Sequence, residues 1–231
     1  VKKAYLEGTG NIADINFILI SMLNYVGLNA NPVLLSTVDH GVPLFPNRTV
    51  FNYVIAAVDI QGKRVLLDGS HKFTAPNILK LSTLNWTGRL IRQDGSSEEI
   101  DLMPTLPSKE TSNIMVTIDT AGKINAKIRK QSADYLALKF RQTYGNVSNE
   151  SYLEKLETDW EGCQIENYTI ENKATDFSKP ILENFNLVSE NLVEIIEDRM
   201  EMNPLLFYTI DKNAFNRDKR TLPIYFGFPK H

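Results

Sequence analysis

The sequence predicts an α+β fold in two parts: a central helix packed on an antiparallel sheet, then a β-rich region with a helical insertion. Three observations predict it. Ile12, Ile15, Leu19, Met22, Leu23 and Val26 recur at helical spacing directly after the turn Gly8-Thr9-Gly10. Segments of strand-forming residues follow in pairs, separated by turn signals such as Gln61-Gly62. Pro104 and Pro107 then interrupt the pattern and divide the chain into 1–105 and 106–231.

The elements follow in order. A helix is expected over 12–26, with Asp14 complementing the positive first turn and Gly27 as its stop. Phe17, Ile18 and Ile20 fall off the apolar stripe, so this helix is expected to be covered on most sides. Strands are expected at 32–37, 50–59 and 63–68, the last two as an antiparallel hairpin. The Pro- and Gly-containing loop 40–48 is long enough to rim a cleft. Residues 86–102 read as a closing hairpin around Gln93-Asp94-Gly95-Ser96-Ser97. Beyond the linker, 113–119 and 123–130 flank the turn Thr120-Ala121-Gly122. Two amphipathic helices at 132–144 and 150–161 come next, then strands at 164–171, 181–188, 192–196 and 207–210.

Composition excludes several classes of partner. Of 231 residues, 42% are hydrophobic and 23% charged, enough for one large or two modest cores. The net charge of −3 is evenly spread, and no basic patch asks for nucleic acid. The longest apolar run, 17–23, is broken by Ser21 and is too short to span a bilayer. No signal peptide opens the chain, which begins mid-pattern at Val1, so it is expected to be a segment of a longer precursor with adjacent domains. The single Cys163 forms no internal disulfide and stands at a strand start, where a packed, inert thiol is expected.

A loop running into a helix N-terminus would stabilise a thiolate, because the first N–H groups are unpaired and the dipole is positive there. Here the junction residues are Asn11, Ile12 and Ala13, and none is a nucleophile. The blocks Gly10-Asn11-Ile12-Ala13-Asp14, Asn29-Ala30-Asn31-Pro32-Val33-Leu34-Leu35, Phe51-Asn52-Tyr53-Val54-Ile55-Ala56 and Val65-Leu66-Leu67-Asp68-Gly69-Ser70 resemble successive blocks of the bacterial transglutaminase-like family. Leu84-Asn85-Trp86-Thr87-Gly88-Arg89 and Tyr225-Phe226-Gly227-Phe228-Pro229 further resemble its large exported Bacteroidetes-type members.

The resemblance implies a papain-like transglutaminase core followed by a β-rich domain. It places the family's catalytic cysteine at Ile12, its histidine at Tyr53 and its aspartate at Asp68, so only the aspartate survives. A non-catalytic module of a bacterial extracytoplasmic protein is therefore expected, without cofactor or metal. It would bind a peptide or protein segment in a cleft lined by Asn11, His40, Asn52, Tyr53 and Trp86, or serve architecturally. Two alternatives remain: an amide-cleaving or acyl-transfer enzyme of the same fold using another residue set, and a structural spacer.

Ile12 is expected to be buried against Tyr53, and Asp68 to keep a hydrogen bond with the Tyr53 hydroxyl or neighbouring backbone. Tyr53 would act as acid or base only if its pKa fell from near 10. His40 on the rim loop and His71 after Asp68 read as loop histidines, and with scattered carboxylates they show no metal-ligand spacing. The sequons at Asn47, Asn85, Asn146, Asn149 and Asn167 matter only in a glycosylating secretory pathway.

Overall fold

The computed structural model describes residues 1–45, 49–160, 162–209 and 226–230. Helices and sheets are both present, with strands outnumbering helices among the described residues. The chain forms two compact units: Val1–Ser108 with the stretch from Gly227, and Lys109–Phe226.

The first unit runs α1 (Lys2–Glu7), α2 (Ile12–Tyr25), β1 (Asn29–Leu35), β2 (Tyr53–Ile60), β3 (Lys63–Leu67), β4 (Thr87–Ile91) and β5 (Ser97–Asp101). Its antiparallel sheet has the order β3-β2-β1-β4-β5. α2 ends in paired bonds from Gly27 N to Asn24 O (3.0 Å) and from Leu28 N to Leu23 O (3.0 Å). Gly27 takes a φ of 86°, which a residue with a Cβ rarely adopts, so the glycine does stop the helix.

α2 lies along one face of the sheet. Ile20 packs with Ala30, Ala56 and Val58, and Phe17, Leu19, Leu23, Val65 and Leu67 close around them. Every residue of β2 from Tyr53 to Val58 is buried. At Gly88 in β4, an added Cβ would come 2.7 Å from Val33 Cγ1, so only a bare backbone fits there. The expected covering of α2 on most sides is not found: Met22, Tyr25 and Val26 are exposed, Tyr25 by 92%. The sheet buries a single helix face, centred on Asn16 and Ile20 rather than on the expected stripe, whose members Ile12, Met22 and Val26 are exposed.

At the chain's other end, Ser108 N donates to Pro229 O (2.9 Å) and Ser108 pairs with Lys230 in a parallel bridge. The C-terminal stretch thus belongs with the first unit, beyond the sequence-based division near 105.

The second unit runs β6 (Glu110–Ile118), β7 (Ile124–Ser132), α3 (Asp134–Tyr144), α4 (Asn149–Asp159), β8 (Gln164–Glu171), β9 (Ile181–Ser189), β10 (Val193–Ile196) and β11 (Arg199–Met202). Its main sheet is antiparallel in the order β6-β7-β9-β8, and β10 and β11 form a separate hairpin. Strict alternation buries one face of β7 and β9: Ile124, Ala126 and Ile128 with Phe185 and Leu187. Ile181 joins Ala137 and Phe140 of α3 and Tyr152 of α4 in a second apolar cluster.

Two buried charges punctuate this core. Glu183 is 1% exposed, and its Oε1 accepts from the hydroxyls of Tyr152 and Tyr168, both at 2.9 Å. Arg141 is equally buried and donates to the carbonyls of Asn172, Phe177 and Lys179. The strand expected at 207–210 is instead a 3-10 turn at Leu206–Tyr208, with residue 210 outside the described residues. Asn47 and Tyr225 also lie outside them. Among the described residues no helix is long and apolar enough to cross a membrane.

Candidate functional site around Asp68

Asn11 caps α2 by accepting the Asp14 N–H at 2.9 Å, while the Asp14 carboxylate receives the Asn11 N–H at 3.4 Å. This reciprocal cap starts the helix at Ile12. One turn later, on the same face, stands Asn16, with no solvent exposure.

Its amide donates to Asp68 Oδ1 and to Val54 O, each at 3.0 Å, and more weakly to Ile12 O at 3.3 Å. Its carbonyl oxygen accepts the Gly69 N–H at 2.9 Å. One side chain therefore ties the helix, the start of β2 and the turn after β3 together.

Asp68 follows β3 immediately and is 5% exposed. Its Oδ2 accepts from the Tyr53 hydroxyl at 2.8 Å. Its Oδ1 accepts from Asn16 and from both the Ser70 backbone N–H (2.9 Å) and hydroxyl (2.6 Å). The Tyr53 and Ser70 oxygens are themselves 3.0 Å apart. The expected bond between Tyr53 and Asp68 is present, within a network that meets the carboxylate from several sides. Burial, with the Asp68 charge behind it and the Ser70 bond opposing, pushes the Tyr53 phenol up. It stays protonated as a donor, the reverse of what an acid–base role near neutrality requires.

His71 sits beside this network, half-buried, with Nδ1 enclosed and without a hydrogen-bond partner. Burial and then the Lys80 charge lower its pKa, and Asp68 opposes them. The Lys80 ammonium lies 6.0 Å from the centre of the Tyr53 ring.

Ile12 departs from expectation. It is 38% exposed, because a first-turn residue directly after a cap projects past the edge of the buried stripe. Ile12→Ala is therefore expected to change the unfolding midpoint little, by less than about 1 kcal/mol in stability, as for substitutions away from the core. Chemical denaturation followed by circular dichroism checks it, and a loss of several kcal/mol would restore the buried reading.

The candidate cleft residues are distributed as follows. Asn11 is occupied by the helix cap. His40 ends the exposed 3-10 turn Val38–His40, and its Nε2 is 2.8 Å from Thr49 O. Asn52 accepts the Thr37 N–H and donates to the Thr37 hydroxyl, both at 2.9 Å. Trp86 is 61% exposed, directly after the buried Asn85, whose amide donates to the carbonyls of Ser36, Thr37 and Gly41. Asn52 is thus bonded to the turn at Thr37 and His40 ends it, while Trp86 adjoins the asparagine that anchors it. Tyr53 turns inward to Asp68.

Sequence reasoning passed over Asn16, and it weighed Ser70 only as part of a Ser-His-Asp arrangement with His71 and Asp68, which it set aside because side chains so near in sequence point in different directions. The available signal at Asn16 was an amide inside an apolar helical stripe, four residues after Ile12. Cys163 is 2% exposed at the start of β8, and burial pushes its thiol up, which suits an inert side chain. Among the described residues no three or more His, Cys, Asp or Glu are grouped to hold a metal ion. In comparisons with known proteins, the chain matches no family model, no curated protein and no solved structure.

Proposed function

We propose that the first unit is a transglutaminase-like, papain-type core without thiol catalysis, serving as a non-catalytic module of a bacterial extracytoplasmic protein. Its role is to hold a peptide or protein segment or to act architecturally between adjacent domains. The observation that carries this reading is the state of Asp68. Its Oδ1 accepts from Asn16 and Ser70 and its Oδ2 from Tyr53, so the residue it meets at the mapped histidine position is a protonated phenol rather than an imidazole to orient. The positional mapping is supported by the single helical turn between Ile12 and Asn16, and by the direct path from Asn16 through Asp68 to Tyr53.

A second reading, an enzyme using another residue set, is favoured by one observation: the unpartnered His71 Nδ1 beside Asp68 and Ser70. Assays of amine incorporation and peptide hydrolysis separate the two. Purified protein is expected to show no turnover, and Cys163→Ser to change nothing. Turnover abolished by Ser70→Ala or His71→Gln would establish the enzyme instead.

Restoring the family's residues tests the mapping itself. Ile12→Cys places a thiol in the first turn of α2, where the exposure of position 12 admits small reagents and the N-terminal dipole lowers the thiol pKa. Adding Tyr53→His is expected to speed alkylation by iodoacetamide near neutral pH relative to Ile12→Cys alone, with little turnover of peptide amides. No acceleration by the histidine would refute the mapping onto Tyr53, and efficient peptide turnover would refute the loss of a working groove.

A further inference from the structure

The open face of the second unit's sheet carries a chemistry independent of the site around Asp68. Side chains line up there in two cross-strand rows. Asn113, Arg129, Asn184 and Thr169 form one, and Met115, Lys127, Asn186 and Glu166 form the next. Between Glu166 and Thr169 the ladder is broken by a bulge, where Asn167 takes a φ of 54°. Bulges re-aim side chains and are frequent beside functional sites. Asn167 lines an open concavity of about 480 Å³ together with residues of both rows.

Asparagine is depleted in strands, where β-branched residues fit better, so four asparagines on one sheet face are not explained by strand stability. They flank two cations, and among the described residues none of these six side chains makes a hydrogen bond or ion pair. An amide offers both a donor and an acceptor, as recognition of hydroxyl groups requires. A guanidinium fork matches a carboxylate. Arg129 has an amide on each side and no acid in its row, and Glu166 alone is acidic in the second row. The patch is locally positive in a chain of net charge −3.

We propose that this face binds an acidic oligosaccharide, with uronate carboxylates on Arg129 and Lys127 and sugar hydroxyls on Asn113, Asn167, Asn184 and Asn186. An acidic peptide fits less well, because an extended peptide pairs with a sheet edge rather than its face. Met115 is also the one strongly exposed large apolar side chain in the two rows.

The test is calorimetric titration of the whole chain with oligogalacturonate, a neutral dextran oligomer and polyglutamate. Oligogalacturonate is expected to bind in a salt-sensitive manner, and dextran not to bind. Arg129→Gln should weaken binding about tenfold, as loss of a charge-assisted contact does. Asn184→Thr combined with Asn186→Thr should weaken it too while leaving the thermal midpoint equal or higher, since threonine suits a strand. A lower midpoint with unchanged binding would make the amides structural and overturn the proposal. So would absence of oligogalacturonate binding, binding indifferent to Arg129→Gln, dextran binding as tight, or tighter binding of polyglutamate.

Discussion

Asn16→Leu is expected to lower the stability of the first unit by about 3 to 5 kcal/mol, although leucine suits an apolar helix better than asparagine does. The substitution leaves the Gly69 N–H without its acceptor, at a cost of about 1–3 kcal/mol, and removes a bond to the Asp68 carboxylate worth about 1.5–3 kcal/mol. Because the chain has two compact units, the measurement is native-state hydrogen exchange at the amides of β2 and β3, which reads the opening free energy of this unit alone. Unchanged protection there would mean that the network is not a stabilising hub.

Asn16→Asp makes the same point electrostatically. It keeps an acceptor for Gly69 but sets a second carboxyl where an amide now lies 3.0 Å from Asp68 Oδ1. Like charges so close raise the folded-state pKa of one of them above its unfolded value. The folded state then binds more protons than the unfolded state, so the stability of this variant relative to the unsubstituted chain should be greatest below the unfolded carboxylate pKa and fall as pH rises through that raised pKa.

In the second unit the largest effect is expected from Arg141→Met. The guanidinium holds three carbonyls of the 172–179 segment, with distances from 2.7 to 3.2 Å, and stacks 5.5 Å from the Phe177 ring. Burial lowers the Arg141 pKa, opposed by the Asp176 charge, yet among the described residues no carboxylate pairs with the guanidinium directly. Its charge is met by backbone dipoles instead. Truncation to an apolar chain of similar length should cost about 2 to 4 kcal/mol, reduced from the sum of four lost bonds because an exposed segment regains water. Arg141→Lys should recover only part of this, since an ammonium lacks the planar fork. Exchange at β8 and β9 reports the loss, and full recovery by lysine would contradict the role assigned to the fork.

Much of the local structure was legible because its causes are local. The helix after Gly10 and its Gly27 stop lie within one stretch of chain and require no partner elsewhere, whereas the cap at Asn11 and the face that α2 buries were not read from it. The hairpins β2–β3, β4–β5 and β6–β7 follow from runs of strand-forming residues and from glycines able to take positive φ in their turns. The 3-10 turn at Leu206–Tyr208 was misread as a strand, because a short apolar run has no period of its own. The six-residue α1 gave too short a pattern to register.

The sequence by itself determined the order of most helices and strands, and that no nucleophile stands at the first turn of α2. Tertiary structure decided what the polar residues inside those patterns do. Asn16 reads as one amide in an apolar helix until Val54 and Asp68 arrive from 38 and 52 residues away. Glu183 alternates like any strand residue, and only the fold places it inward under the hydroxyls of Tyr152 and Tyr168. Periodicity reports burial along one element, whereas the satisfaction of a buried polar group depends on atoms that only long-range packing brings within 3 Å.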